Sequence, residues 1–108
     1  MVSDLINAAL KDTKIPYYYF ERPTNVFPCI VVQYNEYFGY GGDNKEEAAK
    51  YDIYLNLVTK DDIIKNTQKI KEVMESHGFS KVSINTPEKF DGTDYFQIVF
   101  NYLIMEAN

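Results

Sequence analysis

The sequence contains very few of the residues on which most catalytic and metal sites depend. Its 108 residues include no tryptophan, one cysteine (Cys29) and one histidine (His77). A single cysteine excludes both an intramolecular disulfide and a zinc cage built from cysteines, because each needs at least one further cysteine. Nothing in the cysteine usage points to an oxidising compartment, and we therefore expect the chain to fold in the cytoplasm.

Arginine and long apolar runs are also scarce. Arg22 is the only arginine among 11 basic residues, and these face 16 acidic residues, so the net charge is −5. Proteins that hold nucleic acid normally neutralise its phosphates with clustered Lys and Arg. We therefore expect no specific nucleic-acid binding. Without a long apolar run, we also expect neither a signal peptide nor a membrane span.

Aromatic residues are abundant by contrast, since ten tyrosines and seven phenylalanines make up 16% of the chain. The remaining composition, 45% hydrophobic and 25% charged, is that of a globular protein, and the length suits a single domain over residues 1–108. A core of this size holds only some of the rings. Tyrosine suits half-wet contact surfaces, so we expect an interface.

Two amphipathic helices are predicted. The first covers residues 2–12, where apolar residues recur at spacings of three and four. The second follows Thr59, interpreted as its N-cap, with Asp61 and Asp62 in its first turn and Gly78 as its left-handed stop. Its predicted apolar stripe is Ile63, Ile70, Val73, Met74 and His77.

Four β-strands of useful length are predicted around these helices. Residues 29–36 and 51–57 alternate with period two, as does the aromatic run 95–105, a candidate central strand. Another strand begins at Val82, and the pair Asp91-Gly92 predicts a two-residue hairpin turn. The predicted fold class is α+β in the order α-β-β-α-β-β. Its four-stranded sheet is antiparallel or mixed, with both helices on one face.

Each residue that could carry chemistry also has a structural interpretation. His77 has no further ligands at metal-binding spacing, and Cys29 lies in a strand predicted to be buried. The acidic groups within 46–47, 61–62 and 88–94 do not follow the pattern of a calcium loop. The glycines near residue 40 lack the strand and helix that flank a phosphate loop. We predict no catalytic residues, no metal and no cofactor, and hence no enzyme.

Residues 37–49 are predicted to form a long loop that is aromatic at its start and acidic at its end. Exposed aromatic rings in such a loop favour a partner contact, and a mobile hairpin tip is the alternative. In the extended segment 17–20 alternate rings face opposite sides, so two remain available outside the core. The predicted interface residues are Tyr17, Tyr19, Tyr37, Phe38, Tyr40, Asp43, Glu46, Glu47 and Tyr54.

Four stretches in a fixed order carry a family resemblance: FPCIVVQY at 27–34, AKYDIYLN at 49–56, ESHGF at 75–79 and FDGTDYFQIVF at 90–100. With these stretches the chain resembles the small tail-terminator and head–tail joining proteins of long-tailed bacteriophages and related prophages. The resemblance implies a structural virion subunit in a homo-oligomeric ring, usually a hexamer. Such a ring caps the tail tube and docks to the head connector, and the family has no catalytic residues.

The partners implied by the resemblance are further copies of the chain, the tail tube protein and the head connector or stopper protein, with no membrane. Assembly would take place in the host cytoplasm. Head-to-tail contacts that close give a ring, and acidic charge would let DNA pass through it without adhering. Two other classes stay open. One is a small cytoplasmic ligand- or protein-binding α+β domain, and the other is a hydrolase or nuclease using Asp61, Asp62 or His77.

Overall fold

Helices and strands follow one another along the chain much as their periodicity predicts. A computed structural model of the protein describes residues 1–38, 48–89 and 91–107, with the backbone alone at 38, 48, 106 and 107. Helix α1 continues into a short 3₁₀ turn before the first strand. The elements are α1 (Val2–Leu10), the 3₁₀ turn (Lys11–Thr13), β1 (Tyr17–Tyr19), β2 (Cys29–Phe38), β3 (Ala48–Thr59), α2 (Ile63–Ser76), β4 (Ser80–Ile84), β5 (Glu88–Lys89) and β6 (Phe96–Ala107).

One mixed sheet contains the six strands of the described residues. Its order is β1-β2-β3-β6-β4, and the short β5 also pairs with β6. β1 runs parallel to β2, whereas the other pairs are antiparallel. The α+β class is confirmed, and β6 is paired on both sides as a central strand must be. The predicted count of four strands is wrong, because β1 and β5 are too short to show any periodicity.

Both helices pack on the same face of the sheet, and the core lies between the two layers. From α1 the buried side chains are Val2, Ile6, Ala9 and Leu10, and from α2 they include Ile70 and Met74. The facing side chains alternate along the strands, as period two requires. They are Ile30, Val32, Tyr51, Ile53, Leu55, Leu57, Ile98, Phe100 and Tyr102. Each Val, Leu, Ile, Met or Phe side chain buried here contributes about 1.5–3 kcal/mol to folding.

Helix α2 begins later than predicted, because Thr59 is not its N-cap. Thr59 is buried at the end of β3, where its Oγ1 donates to the Asp61 carbonyl oxygen at 2.6 Å and accepts from Asn66 Nδ2 at 3.4 Å. The N-cap is Asp62, which has a left-handed φ of 52°. Asp61 and Asp62 therefore precede the first turn. At the other end Gly78 has a φ of 89°, and the predicted stop is confirmed.

The connections between strands also differ from the prediction. Lys89 pairs with Phe96, so residues 90–95 connect β5 to β6 and the turn is longer than two residues. Gly92 has the left-handed φ of 80° expected of a turn glycine, but it forms only part of this connection. The predicted 37–49 loop is too long, since Tyr37 pairs with Lys50 in the antiparallel ladder of β2 and β3.

The long strands make the molecule elongated. β3 and β6 contain 12 residues each, and the Cα atoms extend over 52 × 26 × 22 Å. The radius of gyration is 15.0 Å, compared with about 13 Å for a compact domain of 100 residues. The sheet is therefore a long platform, on one side of which the two helices are packed.

Ile70 and Ile64 give a matched test of which side of α2 is buried. Ile70 is fully buried, whereas Ile64 is 87% exposed. Ile70→Ala removes core contacts and leaves a cavity, so we expect the free energy of unfolding to fall by about 2–5 kcal/mol. Ile64→Ala should change it by less than about 0.5 kcal/mol. Chemical denaturation measures both, and equal losses would contradict this orientation of the helix.

Candidate interaction surfaces

The side of the sheet away from the helices is buried at one end, where Cys29, Val31 and Val58 project from it, and uncovered towards the β2–β3 hairpin. We call the uncovered part the open face. Alternate residues of β2, β3 and β6 project from it, and cross-strand pairing places them in continuous rows. None of them is buried. The open face consists of Gln33, Asn35, Tyr37, Lys50, Asp52, Tyr54, Asn56, Val99, Asn101, Leu103 and Met105.

Polar and apolar side chains are interleaved on the open face. Asn56 Nδ2 donates to Gln97 Oε1 at 3.2 Å, and Asn101 Nδ2 donates to the Ile53 carbonyl oxygen at the same distance. Near the hairpin end Tyr37 is 48% exposed and Met105 is 61% exposed. Tyrosine and methionine are both enriched in contact surfaces between proteins.

A hydrogen bond orders the exposed tyrosine at this end of the open face. The Tyr37 hydroxyl bonds to Asp52, and this bond, together with the negative charge of the carboxylate, raises the pKa of Tyr37. Asp52 lies on β3 and Tyr37 on β2, so the contact runs diagonally between neighbouring strands. The ring of Tyr37 is thus held on the face by a charged acceptor while much of its surface remains exposed.

Tyr17 and Tyr19, both predicted for the interface, lie on the helix side of β1. They pack half-buried against the core, and the outward rings of this segment are those of Tyr18, 36% exposed, and Phe20, 55% exposed. The Tyr19 hydroxyl donates to Asn7 Oδ1 at 2.6 Å, so it attaches β1 to α1. The alternation of the rings was predicted, with Tyr17 and Tyr19 as the outward pair, whereas the more exposed rings are those of Tyr18 and Phe20. A partner contact for Tyr17 and Tyr19 stays a prediction.

The other predicted interface residues divide into two groups. Tyr37 and Tyr54 both project from the open face, where Tyr54 pairs with Gln33 on one side and Asn101 on the other. For Phe38 the structure gives the backbone alone. The remaining four lie outside the described residues: Tyr40, Asp43, Glu46 and Glu47. The structure therefore brings two of the predicted residues together and places the β1 pair on the opposite side of the sheet.

A polar cleft of about 430 Å³ lies at the other end of the sheet, lined by Arg22, Pro23, Thr24, Asn25, Phe27, Lys60, Asp94 and Tyr95. Arg22 Nη1 donates to the Tyr95 hydroxyl at 3.0 Å, and the guanidinium carbon lies 4.4 Å from the centre of that ring. Lys60 Nζ lies 3.1 Å from Asp94 Oδ2 and 4.7 Å from the centre of the Phe27 ring. Both cations therefore already contact rings or a carboxylate.

Sequence reasoning missed this cleft. Arg22 and Tyr95 are separated by 73 positions, and no local pattern connects them. The only signal was that the sole arginine lies in a loop close to aromatic residues. The contacts attach the segment between β1 and β2 to the start of β6, which gives Arg22 a structural role.

The reactive residue types considered in the sequence occupy structural positions. His77 Nε2 lies 3.1 Å from Asp12 Oδ2 and connects the end of α2 to the turn after α1. Cys29 is fully buried, and burial raises the pKa of its thiol, which disfavours the reactive thiolate. Within residues 1–38, 48–89 and 91–107 no group of three His, Cys, Asp or Glu side chains is placed to hold a metal ion.

No protein-family model and no curated protein matches the chain. In the part of the chain that the structure describes, neither helix is long and apolar enough to cross a membrane. The surface features that bear on function are the open face and the outer edges of the sheet, β1 and β2 on one side and β4 on the other.

Tyr19 provides a test of the contact between β1 and α1. Burial, aided by neighbouring Tyr17, Tyr34 and Asp4, raises the pKa of Tyr19 to about 12. The unfolded chain releases this proton near pH 10, so the stabilisation is complete below that pH and is lost as the pH rises towards 12. Tyr19→Phe should cost about 1 kcal/mol at pH 7 and make the alkaline loss of stability smaller.

The matched control is Tyr18→Phe, since Tyr18 is a neighbouring exposed ring of the same strand. It should leave the stability at pH 7 unchanged. Denaturation at neutral and alkaline pH measures both variants. If Tyr19→Phe behaved as Tyr18→Phe does, the account of the Tyr19 hydroxyl would be wrong.

Proposed function

We propose that the chain is a structural subunit of a bacteriophage tail, a tail-terminator or head–tail joining protein that forms a ring on the tail tube and docks to the head connector. The observation that carries the proposal is the open face. It is the part of the sheet surface towards the β2–β3 hairpin, with exposed tyrosine and methionine, that the described chain does not cover. Together with the family resemblance of the sequence, it supports a protein that acts through contacts with other subunits.

The composition of the open face favours a contact surface over a simply solvated one. Where one side of an antiparallel sheet faces water, its outward side chains are usually polar. On this open face, Tyr54, Val99 and Leu103 form an apolar group among the amides, and all three are half-buried within the single chain. A partner that covered them would remove further apolar surface from water, which stabilises association.

The shape and charge of the chain are compatible with a ring. An elongated subunit, 52 Å in its longest dimension, offers long sides for contacts between copies and two ends for the tube and the connector. Its net charge of −5 would reduce adhesion of DNA passing through the ring, because phosphates and carboxylates repel each other. Acidic side chains located only on the outer rim would contradict that part of the proposal.

A small-ligand-binding domain is the second candidate, and the cleft around Arg22 is the observation in its favour. Its volume of about 430 Å³ is within the range of ligand pockets. Such pockets are mostly apolar with a few free polar groups, whereas this one is polar and its two cations are engaged. We therefore rank it second. A chain that is monomeric at all concentrations and absent from particles would favour it.

The function is tested by deleting the coding sequence from a phage or prophage that carries it. We expect heads and tails to form separately and to stay unjoined, so that infectious particles disappear while both components are visible by electron microscopy. Supplying the chain from a plasmid should restore joined particles. Normal yields of infectious particles from the deletion would overturn the proposal.

Variants at Met105 and Ile64 test whether function depends on the open face or equally on other exposed apolar surface. Both are exposed apolar residues, Met105 on the open face and Ile64 on the outward side of α2. Met105→Lys introduces a charge that must be desolvated at the contact, so we expect at least a tenfold fall in complementation of the deletion. Ile64→Lys should complement as the wild type does. Circular dichroism checks that both variants fold, and equal complementation would contradict a role for the open face.

A further inference from the structure

The two outer edges of the sheet are complementary, and we propose that β4 of one copy pairs with the free part of β2 in the next copy. The sheets of neighbouring subunits would then be continuous around the ring. This inference rests on the proposed ring and identifies the surface through which its copies join.

The first edge belongs to β2, of which β1 covers only the beginning. The pairing ends with Tyr19 opposite Val32, and the last hydrogen bond runs from the Phe20 N–H to the Val32 carbonyl oxygen at 2.9 Å. Backbone groups alternate in direction along a strand, so Tyr34 and Glu36 direct theirs to the same edge. Within the described ranges no backbone group bonds to them on that side. An unpaired strand edge of this kind is a template for another strand.

The second edge is the outer side of β4, the last strand on the opposite side of the sheet. The Asn85 N–H donates to the Val99 carbonyl oxygen at 2.9 Å, so Asn85 faces β6 and Ile84 directs its backbone groups outward. No other described strand pairs with this edge. Between Lys81 and Ser83 the ladder has an irregularity, and Val82 at that point is 52% exposed.

The two edges have the directions that pairing requires. β2, β3, β6 and β4 follow one another by three antiparallel steps, so β4 runs opposite to β2. When β4 of one copy lies beside β2 of the next with the helices of both on the same side, the two strands are antiparallel. This is the arrangement in which strands pair most readily and in which each copy uses both of its edges.

The two edges also lie at the same height along the strands. Lys81 pairs with Tyr102, which is level with Ile53 and Tyr34. By the same register residues 80–83 are level with residues 33–35, immediately beyond Val32, where the pairing with β1 ends, and Ile84 is level with Val32 itself. A closed ring permits no net shift along its axis from one copy to the next. When the strands run parallel to the ring axis, β4 of one copy therefore lies beside the part of β2 of the next copy that β1 leaves free.

Charges near these positions are complementary. Lys81 and Glu36 both lie on the helix side of the sheet and both are exposed. With Lys81 of one copy opposite Tyr34 of the next, Glu36 becomes its diagonal neighbour, within reach of a long side chain. Neither Lys81 nor Glu36 forms an ion pair among the described residues. Glu36 Oε2 accepts a hydrogen bond from the Tyr51 hydroxyl at 3.3 Å, which leaves its charge without a cationic partner there.

An apolar contact is available at the same height. Phe20, Gln33, Tyr34, Asn35 and Tyr54 line a cleft of about 440 Å³ beside the free edge of β2. Strand addition commonly places alternate side chains of the added strand in such clefts. The exposed Val82 is level with this cleft and is the apolar side chain that β4 would bring to it.

Charge reversal tests the pairing in the wild-type background. Lys81→Glu or Glu36→Lys alone places like charges together, and we expect association between copies to weaken about fivefold per contact. The double variant should restore it. Lys65→Glu, an equal charge change on the exposed side of α2, should have no effect. Sedimentation measures all four variants, and a double variant no better than the single ones would overturn the inference.

Thiol cross-linking provides the second measurement, using Glu36→Cys and Lys81→Cys together in one chain with a bifunctional thiol reagent that spans about 8 Å, the separation of diagonal positions on paired strands. Within one copy the two positions are three strands apart, about 14 Å, which is beyond this reagent. Cross-links therefore form only between copies, and we expect a ladder that ends in a closed ring of one size. The wild type, whose Cys29 is buried, should give none.

The outcomes separate this inference from the proposed function. Dimers from Lys81→Cys alone, without a ladder in the double variant, would show that β4 pairs with β4 and would overturn the inference. Association of the wild type without any cross-link between positions 36 and 81 would overturn it too, while leaving the ring intact. A chain that neither associates nor cross-links would also overturn it, and the deletion experiment in phage would then decide the function separately.

Discussion

The antiparallel pairing of β3 with β6 determines which side chains of this protein are buried. It extends from Ala48 opposite Ala107 to Thr59 opposite Phe96. Because side chains alternate along a strand, this register places Ile53, Leu55 and Phe100 under the helices and leaves Tyr54, Asn101 and Leu103 on the open face. A slip of one residue would exchange the two faces and expose the core, so burial fixes the register strongly.

The surfaces proposed for assembly follow from the same constraint. Two helices are enough to cover one face of the sheet, and on the other face the described chain buries only the end that carries Cys29, Val31 and Val58. β1, at three residues, covers only the beginning of the β2 edge, and β4 has no neighbour on its outer side. The protein thus has a buried core, together with the open face and two strand edges, the outer side of β4 and the part of β2 beyond β1, that no other described strand pairs with. A subunit that is completed by its neighbours has this distribution of covered and uncovered surface.

The long periodic elements could be predicted from the sequence, because each buries one side and repeats its pattern several times. Helix α1, strands β2, β3 and β6, and the stop at Gly78 belong to this group. Short strands and contacts between distant residues could not be predicted. β1 has too few residues to show an alternating pattern. Thr59 has the residue type of a helix cap but ends a strand. Arg22 and Tyr95 are far apart in the sequence, and only the folded chain brings them into contact. For Tyr17 and Tyr19 the alternation was visible, but which pair of rings faced inward depended on the position of α1.

The central claim is that copies of this chain form one ring between the tail tube and the head connector. The most direct measurement is electron cryo-microscopy of purified tailed particles from a phage that encodes the chain. The account predicts one ring of this α+β fold at the head–tail junction, with neighbouring subunits in contact through their sheets. A junction without this fold, or a fold present as isolated copies along the tail, would contradict it.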